Sequence, residues 1–121
     1  MSRVLIVEDE LVLRKVYKTL FKLEKFSVEL AENGSIALEK IKKFKPDIII
    51  LDLLMPVMGG IEFLEVANLK KAHPGTKVLV LSNLSDAETI NRITELGATK
   101  YVLKAAVSPS ELVSTVRTMV S

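Results

Sequence analysis

The residues of this chain best suited to chemistry are Glu8, Asp9, Asp52, Ser82 and Lys104, and nearly all stand at the end of a short apolar run. Asp52 directly follows Ile48-Ile49-Ile50-Leu51, and Glu8-Asp9-Glu10 follows Val4-Leu5-Ile6-Val7. Ser82 follows Val78-Leu79-Val80-Leu81, and Lys104 follows Tyr101-Val102-Leu103. The Ile48–Leu51 run, so short, apolar throughout and rich in β-branched residues, reads as a strand buried on both faces of a parallel sheet, and the other runs are strand-like. Open α/β sheets keep their sites at the carboxyl ends of such strands. If the strands are parallel and adjacent, carboxylates, an amine and a hydroxyl converge at one edge. That set could hold a divalent cation and a phosphoryl group. Each like-charge pair at ~4 Å costs about 4 kcal/mol at an effective dielectric near 20. Three clustered carboxylates therefore need a cation or a shifted pKa. Oxygen ligands without His or Cys favour a hard ion, with Mg²⁺ usual where a phosphate completes the shell.

The elements that must position these residues alternate strand and helix. Arg3–Val7 is strand-like, and Leu13, Val16, Tyr17 and Leu20 then repeat with the period of an amphipathic helix. Ser27–Ala31 alternates as a short, half-exposed strand, and Asn33-Gly34 turns into a second helix with Leu38, Ile41 and Phe44, ended by Pro46. Ile48–Leu51 is the central strand. Pro56 and Gly59-Gly60 mark a loop, after which Ile61–Ala72 reads as one helix stopped by Pro74-Gly75. Val78–Leu81 is the fourth strand. Ser85-Asp86-Ala87-Glu88 has capping-box spacing and opens a fourth helix with Ile90 and Ile93 on one face, with Gly97 at its carboxyl cap. Tyr101–Leu103 is the fifth strand. Ser108-Pro109-Ser110-Glu111 is a second capping box, opening a fifth helix with Leu112, Val113, Val116, Met119 and Val120 in its apolar stripe. The (βα)5 order implies a doubly wound, parallel α/β sheet with right-handed crossovers.

Length and composition bound the reading further. The 121 residues fit one domain spanning 1–121, with no room for an output domain after the fifth helix. The 49% hydrophobic content suits a sheet covered on both faces. No run approaches the length of a membrane span, and no signal peptide is visible. Zero cysteines exclude disulfides and thiolate chemistry and are compatible with the cytoplasm. A formal charge of +2, with few aromatics, gives no argument for direct nucleic-acid binding.

Taken together, Val7-Glu8-Asp9-Glu10, Asp52-Leu53-Leu54-Met55-Pro56, Ser82 and Tyr101-Val102-Leu103-Lys104 resemble the response-regulator receiver domain over the whole chain. The resemblance implies a flavodoxin-like (βα)5 fold with strand order 2-1-3-4-5 and a phosphorylatable switch rather than an enzyme. It implies that Asp52 accepts a phosphoryl group from a phosphohistidine, with Mg²⁺ held by Glu8, Asp9, Asp52 and the backbone carbonyl of Leu54. Lys104 would pair with a phosphoryl oxygen and Ser82 would donate to another, while Tyr101 would swing inward as Ser82 moves. Implied partners are a sensor histidine kinase or histidine phosphotransfer protein, and a downstream protein at the face of the fourth helix, fifth strand and fifth helix. Glu10 reads as a first-turn helix acid, and His73 as a solvated loop residue. Lys15, Lys18, Lys22 and Lys25 form a basic stripe, either a solvated face or a contact for an acidic partner.

Three positions depart from the family pattern. Gly59 stands where Asp or Asn is usual, leaving the third helix a glycine cap. Asn83 follows Ser82 where Ala or Gly is usual and is expected to crowd the phosphoryl site. Ala105 replaces the usual proline, so the Lys104-Ala105 bond is expected to be trans, with Lys104 still reaching Asp52. Two other readings stay open: a receiver cut from a longer, for instance DNA-binding, regulator, and a flavodoxin-like flavin or nucleotide binder. The second lacks any glycine-rich dinucleotide or phosphate-loop motif.

Overall fold

Ile48, Ile49, Ile50 and Leu51 are each at most 2% exposed, as an all-apolar strand at the centre of a two-faced sheet requires. The computed structural model describes residues 2–121. Its sheet contains β1 (Arg3–Val7), β2 (Ser27–Ala31), β3 (Ile48–Leu51), β4 (Lys77–Ser82) and β5 (Lys100–Leu103). All pairings are parallel, in the order β2-β1-β3-β4-β5. This is the flavodoxin-like order that the resemblance implied.

The helices are α1 (Leu11–Leu23), α2 (Gly34–Phe44), α3 (Gly60–Ala67), α4 (Leu69–Ala72), α5 (Ala87–Glu95) and α6 (Pro109–Val120), with a 3₁₀ turn at Lys104–Ala106. Because side chains alternate across a strand, Val4 and Ile6 join Tyr17 and Phe21 of α1 and Leu112 and Val116 of α6 in one core layer. Leu5 and Val7 join Ala37, Phe63 and Ile93 in the layer on the opposite face.

Several elements differ in detail from the sequence reading. The helix expected over Ile61–Ala72 breaks at Asn68, which takes a left-handed φ of 47°. Asn tolerates that conformation, its N–H bonds the Leu64 carbonyl, and the redirected chain buries Leu69. The amino cap of α5 is Asp86, one residue later than the capping-box spacing suggested. Its Oδ2 accepts both the backbone N–H and the hydroxyl of Thr89, two bonds that Ser85 does not make. On α1, Val16 is exposed and Phe21 is fully buried, so the apolar stripe is rotated towards Tyr17 and Phe21. Glu10 occupies the amino-cap position rather than the first turn and caps nothing with its side chain. Lys25 of the basic stripe lies beyond the end of α1, at φ 71°.

Other caps fall where expected. The Ser108 and Glu111 capping box is complete. Gly97 has a φ of 105° and closes α5 with Ala98 N–H to Ile93 O and Gly97 N–H to Thr94 O, the paired bonds of a Schellman end.

Candidate functional site

Strand register brings the chemical residues together. Val7 pairs with Leu51 across β1 and β3, so the next residues, Glu8 and Asp52, lie side by side. Both backbones stay in the ladder for one more bond, Glu8 N–H to Ala31 O at 3.0 Å and Asp52 N–H to Val7 O at 3.1 Å. On the other side Ser82 pairs with Leu103, which leaves Lys104 just past the end of β5. Adjacent parallel strands ending in these residues therefore form one edge.

At that edge Lys104 Nζ lies 2.6 Å from Glu8 Oε1 and 3.0 Å from Asp52 Oδ2. Carboxylate oxygens of Glu8, Asp9 and Asp52 lie within 4.8 Å of one another. Asp9 is exposed, whereas Glu8, Asp52 and Ser82 are buried. Asp52 Oδ1 accepts the Leu53 N–H at 2.8 Å, which fixes the carboxylate plane. Leu54 sits in the loop two residues past Asp52 with its side chain exposed. Ser82 Oγ accepts the Leu84 N–H at 3.1 Å, so its own O–H remains available to donate. Tyr101 is half-buried and its hydroxyl donates to the Ser82 carbonyl at 3.3 Å.

The electrostatics follow from burial and proximity. Burial first, and then the adjacent Asp52 carboxylate, push the Glu8 carboxyl up from 4.5 to about 7 against the pull of Lys104. Burial alone would lower the Lys104 ammonium. Its contacts with Glu8 and Asp52 outweigh that and hold it above the usual lysine range. Burial and the Glu8 charge also raise the phenol of Tyr17 on α1. Although the ammonium is within ion-pair distance of Glu8 Oε1, it is not aligned as a hydrogen-bond donor, and both buried Glu8 oxygens lack a hydrogen-bond partner. Orphaned buried carboxylate oxygens beside two further carboxylates are the donor set a hard cation takes. The residues present fit Mg²⁺.

The loop after β3 is shaped for close approach. A Cβ on Gly60 would come within 2.4 Å of the Asp52 carbonyl oxygen, and one on Gly59 within 2.8 Å of the Leu53 carbonyl. Gly59 caps α3 without a side-chain bond, so the departure there leaves a backbone-only cap. Val57 has a φ of 70°, flanked by a Met58 N–H to Pro56 O bond of 2.8 Å. This is a γ-turn of the strained hand on a β-branched residue.

No peptide bond is cis among the described residues, so Lys104-Ala105 is trans, and Lys104 still reaches Asp52. Asn83 is exposed, and its Oδ1 accepts the Ala105 N–H at 2.8 Å. Two contacts escaped the sequence reading. Arg14 Nη1 donates to the Glu8 and Asp9 carbonyls at 2.8 and 3.2 Å, pinning the acidic turn to α1. Asn33 caps α2 by accepting the Ile36 N–H. An Asn before Gly-Ser at a helix start carries that second signal; Arg14 carries none without the tertiary contact.

A family model described as response regulator receiver domain matches residues 4–117. The chain belongs to the response-regulator receiver family. The receiver is 43% identical over 108 residues to a protein-glutamate methylesterase/protein-glutamine glutaminase of Desulfotalea psychrophila, covering 84% of this chain and 29% of that protein. It is 32% identical over 116 residues to the DNA-binding response regulator MtrA of Mycolicibacterium smegmatis, covering 96% of this chain and 49% of that one. The receiver thus spans half or less of the curated relatives it matches here. Among solved structures, a CheY-like response regulator receiver domain protein of Methanospirillum hungatei superposes with a TM-score of 0.90 at 28% identity, covering 99% of this chain and 94% of that one. The chemotaxis protein CheY4 of Vibrio cholerae superposes with a TM-score of 0.88 at 30% identity, covering 98% of each. No helix of the described residues is long and apolar enough to cross a membrane.

Proposed function

We propose that residues 1–121 form one receiver that acts as a phosphorylatable signalling switch, with Asp52 as its phosphoacceptor. The observation that carries this reading is the placement of Lys104 Nζ between Glu8 and Asp52, 2.6 and 3.0 Å away, at the carboxyl edge of the sheet. A carboxylate oxygen of Asp52 attacks the phosphorus of a phosphohistidine. The new O–P bond forms as the N–P bond breaks, and the imidazole departs with the bonding pair and takes a proton. Glu8, Asp9, Asp52 and the Leu54 carbonyl would hold Mg²⁺, which supplies charge neutralisation on the transferred group. Lys104 offers a point charge to a phosphoryl oxygen. The Ser82 hydroxyl donates to another, drawing the loop after β4 inward and rebalancing Tyr101, whose hydroxyl now bonds the Ser82 carbonyl. The readout is a population shift at the face of α5, β5 and α6.

The partners on this reading are a sensor histidine kinase or histidine phosphotransfer protein upstream and a protein target at that face downstream. The receiver works in the cytoplasm as a signalling domain, not as an enzyme with an external substrate. Because it spans half or less of those curated relatives, a second reading has it as the receiver portion of a longer regulator. The test is intact mass after incubation with a small acyl phosphate and Mg²⁺. One phosphoryl group adds about 80 Da, and Asp52→Asn abolishes the gain. Equal labelling of that variant would sink the assignment.

A further inference from the structure

The turn that aims Lys104 has little to hold it. It starts from β5, the edge strand of the sheet, and none of Lys104–Ala106 is buried. Its amino-cap residue is Leu103, whose side chain makes no capping bond. The first N–H groups of any helical turn need outside partners. Here the partner comes from the loop just past β4: Asn83 Oδ1 accepts the Ala105 N–H at 2.8 Å. Among the described residues this is the only side chain that bonds the backbone of the turn. Register explains the reach. Ser82 pairs with Leu103, so the residues after them, Asn83 and Lys104, emerge side by side.

We propose that Asn83 is a positioning residue for Lys104. Its side-chain carbonyl caps the Lys104–Ala106 turn from the loop after β4 and fixes where the ammonium lies between Glu8 and Asp52. The same bond ties the loop that follows Ser82 to the loop that carries Lys104, so a shift of one moves the other. Asn83 therefore acts through the lysine turn and not by contact with the phosphoryl group. Ala105 is part of the device, because a residue without an N–H there has nothing to donate. This inference rests on the phosphoacceptor reading for its consequence but not for its geometry.

Two variants and two readouts test it. Asn83→Ala removes the acceptor. Asn83→Asp keeps an acceptor oxygen and loses the amide donor. In the metal-free, unphosphorylated protein, Asn83→Ala shifts and broadens the Lys104 ammonium nitrogen resonance and the Ala105 amide resonance, and Asn83→Asp restores both towards wild type. With a small acyl phosphate and Mg²⁺, Asn83→Ala slows labelling of Asp52 roughly tenfold, the kinetic equivalent of one hydrogen bond. The side chain is exposed, so both variants fold, which a thermal melt checks. Unchanged Lys104 and Ala105 resonances in Asn83→Ala overturn the proposal. So does an Asn83→Asp spectrum that matches Asn83→Ala, because the amide donor would then be the working group. If wild type itself takes no label, the phosphoacceptor reading fails, while the resonances still decide whether Asn83 holds the lysine turn.

Discussion

Glu8 makes the metal-free receiver less stable as pH rises, over a window that the site itself defines. Its side chain is 3% exposed, and neither carboxyl oxygen has a hydrogen-bond partner. Burial, then the neighbouring Asp52 carboxylate, raise it from 4.5 to about 7. The unfolded chain releases this proton near 4.5, while the folded chain keeps it up to about 7. Between those values the folded state binds more protons, so stability is full below the window, falls as pH climbs through it, and levels off above. At ~1.36 kcal/mol per pKa unit the loss between about pH 5 and about pH 8 amounts to about 2–3 kcal/mol. Urea unfolding in chelator at those two pH values, for wild type and Glu8→Gln, measures it. Gln keeps the side-chain volume and removes the titration, so groups common to both proteins cancel in the comparison. Wild type loses about 2–3 kcal/mol more than the variant across the window. Parallel profiles refute the reasoning, for then the buried carboxyl is no harder to ionise folded than unfolded. Added Mg²⁺ reverses the trend, because metal binding needs the ionised ligand and so stabilises more at the upper end of the window.

Three further variants test the site and the loop after β3. Near pH 8, where Glu8 is ionised, Asp52→Asn stabilises the metal-free protein by roughly 1–2 kcal/mol in denaturant melts, because it removes a like charge screened only in part by Lys104; an unchanged or lowered midpoint contradicts the repulsion. The same variant weakens the thermal stabilisation by Mg²⁺, read as a smaller melting shift. Ser82→Ala leaves acyl-phosphate labelling largely intact but removes the amide-resonance response around Tyr101 and α5, and a full wild-type response rules out the sensing role. Val57→Gly raises stability by about 1 kcal/mol, since it relieves a positive-φ γ-turn on a β-branched residue that is 83% exposed and has little packing to lose, offset in part by glycine's unfolded-state entropy; equal or lower stability shows the turn to be unstrained.

Much of this receiver was legible in the chain itself, because its signals are local or periodic. Four short apolar runs, each closed by a charged or hydroxyl residue, mark β1, β3, β4 and β5 and the edge where Glu8, Asp52, Ser82 and Lys104 meet. The Ser108 capping box and Gly97 mark helix ends through bonds that span only a few residues. Other features depend on neighbours distant in sequence. The break of α3 at Asn68 goes with the burial of Leu69, a tertiary contact that the apolar pattern of Ile61–Ala72 does not encode. The face α1 presents was set by what Tyr17 and Phe21 pack against, so Val16 was left outside. The raised carboxyl of Glu8 required its burial beside Asp52, a contact 44 residues apart that only strand register creates. Asn83 and Ala105 read separately as two departures from a pattern, and the fold joins them by one hydrogen bond. Residue types and spacing thus determined which groups could do chemistry, since strand ends and caps are written in adjacent residues. Distances, protonation and the aim of Lys104 came from tertiary packing, since desolvation and hydrogen-bond alignment exist only once the strands lie side by side.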